Sequence, residues 1–297
     1  MSPNLRGAGL MVASMMGFVL NDACMKAMSD ELPMFQAIFL RGAATSAILA
    51  AMAWYAGAFS FRLSHRDVGL VVIRSLCEVA ATYFFLTALF NMPFANVSAI
   101  LQALPLTVTL AGALLFGETV GWRRMSAILV GFLGVLLIVQ PGAIGFSYYS
   151  VYAIIAVLVV TVRDLAARRL SKEVPSLTVA FTAATSVTVF SGLAATGVDW
   201  APLSVASTLQ LIGAVIFIIG GYLFSVMTMR VGNIGFVAPF RYTSLLGSLL
   251  LGLILFSEWP DALTLLGSAI VVATGVFTLY RERRLAVASG PVPLRTR

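Results

Sequence analysis

Apolar residues along this chain gather into ten long runs, near 6–26, 33–55, 67–90, 96–116, 123–140, 150–167, 175–196, 208–230, 234–256 and 262–280. Charged residues or Pro and Gly break the chain between them. A helix crossing a bilayer needs roughly 20 predominantly apolar residues, so each run is long enough to be one. The first could also be read as the apolar core of a secretory signal, Gly7 to Leu20 after Arg6. Asn21 and Asp22, which follow, offer no small-residue cleavage site, so it is read as a helix. The pattern predicts an all-α membrane protein of ten transmembrane helices.

Composition agrees. The chain has 297 residues, 60% hydrophobic and 10% charged, with a mean hydropathy of +0.99. A soluble domain carries about 25% charged residues, so a water-soluble globular protein is excluded. Cys24 and Cys77 lie inside apolar runs and the single His65 in a basic loop, which leaves no disulfide framework, metal cluster or resident cofactor to expect. The net charge of +7 comes from basic residues scattered over short loops, not from a basic domain, so nucleic acid is not an expected partner.

Those loops set orientation instead, because Lys and Arg near span ends stay on the cytoplasmic side. With the amino terminus inside, fourteen basic residues fall on the inner side and Lys26 alone on the outer, while Arg41, Arg74, Arg163 and Arg241 fall within spans. Both termini are expected to be cytoplasmic, in a multi-pass plasma (bacterial inner) membrane. Residues 282–297 read as a basic, disordered tail near anionic lipid.

The two halves repeat each other. Asp22, Lys26, Ser29, Glu31 and Pro33 match Asp164, Arg168, Ser171, Glu173 and Pro175 at a constant offset of 142. The phrase ending at Glu118 matches that ending at Glu258 at 140, and Gly134 matches Gly275 at 141. Residues 1–143 and 144–281 are therefore read as two five-helix repeats. Five is odd, so the second copy must cross the membrane in the opposite sense. Inverted repeats can pack in two nearly symmetry-related ways, which opens a midplane site first to one side and then to the other.

With this layout, and with QALPLTVTLAGALLFGE at 102–118 and PFRYTSLLGSLLLGLILFSE at 239–258, the chain resembles the drug/metabolite transporter superfamily, specifically its ten-helix EamA-type members. The resemblance implies a transporter of amino acids, cofactors, nucleotide-sugar-like compounds or drugs. Pro105 stands 13 residues before Glu118 but Pro239 stands 19 before Glu258, which predicts central helices kinked at different depths.

Charge within a span is costly and normally faces a cavity or a partner. Arg74 and Glu78 lie one turn apart on the third span, as an intrahelical ion pair, a substrate contact, or both. Ser98, Gln102, Pro105 and Thr109 share a face of the fourth span, where the proline frees a backbone carbonyl. Arg241 shares a face of the ninth span with Ser244, and a guanidinium can take a carboxylate bidentately. These residues, Pro105 excepted, are the candidate substrate site. Phe18, Asp22 and Asp164 are candidates for a gate or cavity mouth, with Asp22–Lys26 and Asp164–Arg168 read as paired charges one turn apart. Arg41 and Arg163 lie near enough to an interface to snorkel and are left out.

No Gly-rich turn precedes either lysine, so no P-loop exists and ATP-driven transport by this chain is excluded. No Ser-His or Cys-His constellation can form around the loop histidine, and Asp22 and Asp164 are expected toward opposite faces, which disfavours an aspartyl dyad. A channel or an intramembrane enzyme thus ranks below a secondary carrier. The expected substrate is a small metabolite, foremost an amino acid; the alternative is a cofactor, nucleotide-like or drug-like compound.

Overall fold

The computed structural model describes residues 3–57, 63–117, 120–142, 146–171, 173–231 and 234–288. Among them the regular structure is entirely helical. In chain order the helices are α1 (Pro3–Ala27), α2 (Met34–Tyr55), α3 (His65–Asn91), α4 (Phe94–Leu101), α5 (Leu104–Phe116), α6 (Trp122–Val139), α7 (Tyr149–Arg169), α8 (Ser176–Ala195), α9 (Val205–Val231), α10 (Ile234–Val237), α11 (Thr243–Phe256) and α12 (Ala262–Ala288). They form ten membrane-length spans, as the sequence predicts. Two spans are broken. Gln102 and Ala103 separate α4 from α5, where Pro105 cannot donate to the Leu101 carbonyl. The other break is a 3₁₀ stretch, Ala238–Tyr242, that carries Pro239 ahead of α11. Since Gln102 corresponds to Ser244, already inside α11, the two breaks lie at different depths, as the proline spacing implies.

Helix pairing obeys the repeat. α1 packs on α9 as α7 packs on α3; α2 packs on α8 and α6 on α12; α1 meets α11 as α7 meets α5. Exchanging the first five spans for the second five maps this pattern onto itself, with the second set running in the opposite sense. Residues related by the offset of 142 touch each other: the Ser46 and Thr188 hydroxyls lie 3.1 Å apart, and Gln102 Nε2 donates to Ser244 Oγ at 3.0 Å. Even the caps repeat, with Ser64 Oγ accepting from Asp67 N at 3.1 Å and Ser204 Oγ from Ser207 N at 3.0 Å. The Ser64 cap starts α3 at His65, two residues earlier than the apolar run does. The expected repeat boundary at 143/144 lies outside the described residues, as does Glu118.

The two faces of the helical slab differ. On one, here called the Lys26 face, Lys26 at the end of α1 pairs with Glu258 just after α11, and Asp261 caps α12 by accepting from Thr264 N at 2.6 Å. That bond, with a second from Gln140, holds the Asp261 carboxyl below the usual carboxylate range. The opposite, Asp67 face holds the start of α3, where Asp67 accepts from the backbone and hydroxyl of Ser171 after α7. Beneath the Lys26 face Met25, Met28 and Phe94 are fully buried. Their counterparts toward the Asp67 face are Ala167, exposed, and Leu170 and Phe236, half-buried. Among the described residues these three positions are thus packed more tightly on the Lys26 side than their counterparts on the other.

α12 runs on to Ala288, so residues 282–288 are helical and not part of a disordered tail. Arg284 stacks over Tyr280 one turn earlier, 4.9 Å from the ring centroid, which extends the helix beyond its apolar run. Residues 289–297 lie outside the described residues.

The α6–α12 contact depends on glycine. A Cβ at Gly267 would stand 2.5 Å from the Gly134 carbonyl oxygen, on backbone that cannot swing aside. Gly267→Val is expected to force these helices apart at a cost of about 1–3 kcal/mol, seen as a lower Tm of the purified protein. Gly69→Ala, in helix α3 with nothing within 4 Å of the new methyl, should leave the Tm unchanged or raise it.

Candidate substrate cavity

Every span except α6 and α12 contributes to a central cavity of about 340 Å³. Of the candidate residues, Glu78, Ser98, Gln102, Arg241 and Ser244 line it, and so do Phe18 and Asp22 from α1. Gln102, the C-cap of α4, stands at the break, where its amide reaches across to Ser244 on the other half. The remaining candidates stand behind the wall. Arg74 supports Glu78 from one turn away at 3.8 Å and donates to the Val179 carbonyl at 3.4 Å. Thr109 is buried, and its hydroxyl donates to the Pro105 carbonyl at 2.8 Å. Asp164 accepts from Arg163 at 2.9 Å.

Arg163 corrects the sequence reading. It does not snorkel. Because α7 packs on α3, its guanidinium reaches Glu78 at 3.2 Å while also holding Asp164, and it lines the cavity. Arg41 does not snorkel either. It is 8% exposed, lines the cavity, and donates to Asn21 Oδ1 at 3.3 Å. The offset of 142 sets Arg163 opposite Asn21, the residue before an Asp already placed at the cavity mouth, and that signal could have found it. Nothing in the sequence singled out Tyr222, a lining residue whose ring meets Phe18 edge-on at 5.5 Å.

The pairing of Asp22 with Lys26 is also corrected. Lys26 Nζ turns to Glu258 at 3.1 Å and to the Met92 carbonyl at 2.6 Å, and Glu258 in turn accepts from Phe94 N at 2.7 Å. An ammonium at the carbonyl-rich end of α3, and a carboxylate at the N-terminus of α4, each complement a helix dipole. That combination outweighs an i,i+4 pair worth a few tenths of a kcal/mol. The clasp ties α1, α3, α4 and α11 together over the Lys26 face. Lys26→Met is expected to cost about 1–3 kcal/mol and to speed labelling of a cysteine placed at Ser98 by a thiol reagent applied from the Lys26 face. An unchanged labelling rate would show that the clasp does not hold that side shut.

Charges inside fall into balanced sets. Arg74, Glu78, Arg163 and Asp164 form one network, two cations against two anions. Asp22 and Arg41 form another, bridged by Asn21. Arg241 is left over: it is exposed, and it makes no ion pair among the described residues. Also among the described residues, no three of His, Cys, Asp and Glu converge as metal ligands.

Ten spans in two inverted, intertwined sets around a midplane cavity define a membrane transporter of the inverted-repeat kind. Residues 5–140 match the EamA-like transporter family. The S-adenosylmethionine uptake transporter of Rickettsia conorii is 23% identical over 285 residues, 94% of each chain. The pseudopaline exporter CntI of Pseudomonas aeruginosa is 26% identical over 283 residues, 91% of this chain and 95% of that one. A riboflavin transporter of Vibrio cholerae is 28% identical over 224 residues, 75% of each. A solved structure described only as "Crystal structure of protein" shares the fold, with a TM-score of 0.64 at 19% identity over 95% of this chain and 99% of that one. The first half of the chain is thus EamA-like, and over nearly its whole length this ten-helix protein is similar to transporters of small metabolites.

Proposed function

We propose that this chain is a secondary carrier that moves a small metabolite by alternating access through the central cavity, across a bacterial inner membrane with both termini cytoplasmic. The observation that carries this reading is the cavity itself. It lies where the two halves meet, next to the Gln102–Ser244 contact that repeat symmetry maps onto itself. A site on that axis can be presented to either side by rocking one half against the other. In this orientation the Lys26 face is external, and its tighter packing makes the conformation inward-facing.

Relatives named for S-adenosylmethionine, pseudopaline and riboflavin shift the expected substrate from a free amino acid toward a larger metabolite. Arg241 is suited to an acidic group on it, since a free guanidinium at a half-apolar wall binds carboxylate or phosphate bidentately. Phe18, Phe85 and Tyr222 offer aromatic surface to the rest. Free amino acids remain the second reading. Uptake into proteoliposomes of labelled S-adenosylmethionine, riboflavin and a panel of neutral, aromatic, acidic and basic amino acids tests this, with and without an imposed pH gradient. Saturable uptake of any member is expected. No uptake of any, by protein shown to be folded, would contradict the reading.

A further inference from the structure

At one corner of the cavity a carboxylate and a guanidinium are held near each other without touching. Asn21 Nδ2 donates to Asp22 Oδ1 at 2.8 Å, and Arg41 donates to Asn21 Oδ1 at 3.3 Å. Arg41 acts on Asp22 electrostatically, yet the two form no direct ion pair among the described residues. Withdrawing opposite charges from water without letting them meet is costly. Asn21, 3% exposed, is the spacer that prevents their collapse onto each other. One turn beyond Arg41 on the same face of α2 stands Thr45, 4% exposed, whose Oγ1 has no hydrogen-bond partner although it lines the same cavity. The corner therefore offers one open carboxylate oxygen, spare guanidinium N–H groups and a spare hydroxyl, with no net charge.

We propose that this corner is a receptor for a zwitterionic α-amino-acid head. The ligand's ammonium donates to Asp22, and its carboxylate accepts from Arg41 and from the Thr45 hydroxyl. Each open group then gains a partner of opposite sense, and the separation that Asn21 maintains is filled by the ligand's own α-carbon, which holds nitrogen and carboxyl carbon about 2.5 Å apart. The corner is distinct from Arg241. Gly247 packs against Met16 and Val19, which fixes the relative level of α1 and α11. Asp22 lies three to six residues from that level toward the Lys26 face, and Arg241 lies six residues from it in the opposite direction. At 1.5 Å per residue, about 15 Å of depth separates their backbones, so no single α-amino-acid head reaches both. The head binds at the end toward the Lys26 face, and Arg241 meets whatever lies at the far end of the molecule.

This proposal rests on the carrier reading and names one end of its substrate. Binding to the purified protein in nanodiscs tests it with L-phenylalanine, phenethylamine and 3-phenylpropanoate, and with S-adenosylmethionine and its decarboxylated form. In the unaltered protein each head-bearing compound should bind at least tenfold more tightly than its truncated analogues. Asp22→Asn should bring L-phenylalanine down to the level of 3-phenylpropanoate, and Arg41→Gln down to that of phenethylamine. Asn21→Leu, which removes the spacer, should lose zwitterion affinity at least tenfold while the Tm holds or rises. A role in folding alone would lower both together. Equal binding of all three phenyl compounds to the unaltered protein overturns the proposal, whatever the variants do. Saturable transport of riboflavin with no binding of any head-bearing compound overturns it and leaves the carrier standing. No transport and no binding of any compound overturns the carrier reading beneath it.

Discussion

Replacing Arg163 with Gln is expected to produce the largest loss of stability of any single polar substitution in the cavity wall. Its guanidinium donates to both oxygens of Glu78, at 3.2 and 3.4 Å, and to Asp164 from two nitrogens, at 3.0 and 2.9 Å. Removing it leaves Glu78 with only Arg74 at 3.8 Å and Asp164 without a cation among the described residues. Breaking a buried pair costs about 3–5 kcal/mol because the surviving charge is stranded. The Arg163 side chain keeps a quarter of its exposure, so about 2–4 kcal/mol is the expected size. For a chain of 297 residues that lowers Tm by roughly 3–6 °C. Arg163→Lys, which keeps the charge and loses the fork, should fall between. Adding Glu78→Gln to Arg163→Gln should recover part of the loss, because it removes the stranded carboxylate. An unchanged Tm for Arg163→Gln would mean that water, not Arg163, satisfies the two acids.

Arg241→Ala is expected to give the largest functional effect. No acid among the described residues occupies this guanidinium, so its removal strands nothing in the empty protein and the Tm should hold. Transport of a metabolite carrying a carboxylate or phosphate at the far end should fall roughly 5- to 30-fold in kcat/KM. Truncating one side of a fully desolvated charge pair costs about 2–5 kcal/mol in binding, and because Arg241 is exposed the expected loss is smaller, about 1–2 kcal/mol. The amide of the same compound should lose little. Equal losses for acid and amide would make Arg241 a structural residue instead.

The ten spans were legible because twenty apolar residues in a row have few other uses, and the inverted arrangement followed from an odd number of helices per repeat. The break beside Pro105 was legible for the same local reason, a missing N–H. Partner choice was not. Counting residues from the end of a run gives the depth of Arg163 but not the neighbour it faces, and that neighbour, Glu78, is 85 residues away on a helix chosen by packing. Lys26 and Glu258 are farther apart still, and only the meeting of α1 with α11 makes them a pair. Hydropathy likewise ends at 280, whereas a helix is held by its backbone, so α12 continues through charged residues to Ala288.

The proposed alternating access holds that the central cavity, set where the two inverted halves meet, faces one side at a time. Counterflow tests this most directly. Proteoliposomes are loaded with a high concentration of unlabelled S-adenosylmethionine, or of whichever panel member is taken up, and diluted into a trace of the labelled compound with no ion gradient. A carrier returns with a labelled molecule each time it exports an unlabelled one, so label should accumulate transiently above its external concentration and then decay. Label that only equilibrates, with no overshoot at any load, would mean a site open to both sides at once and would contradict alternating access.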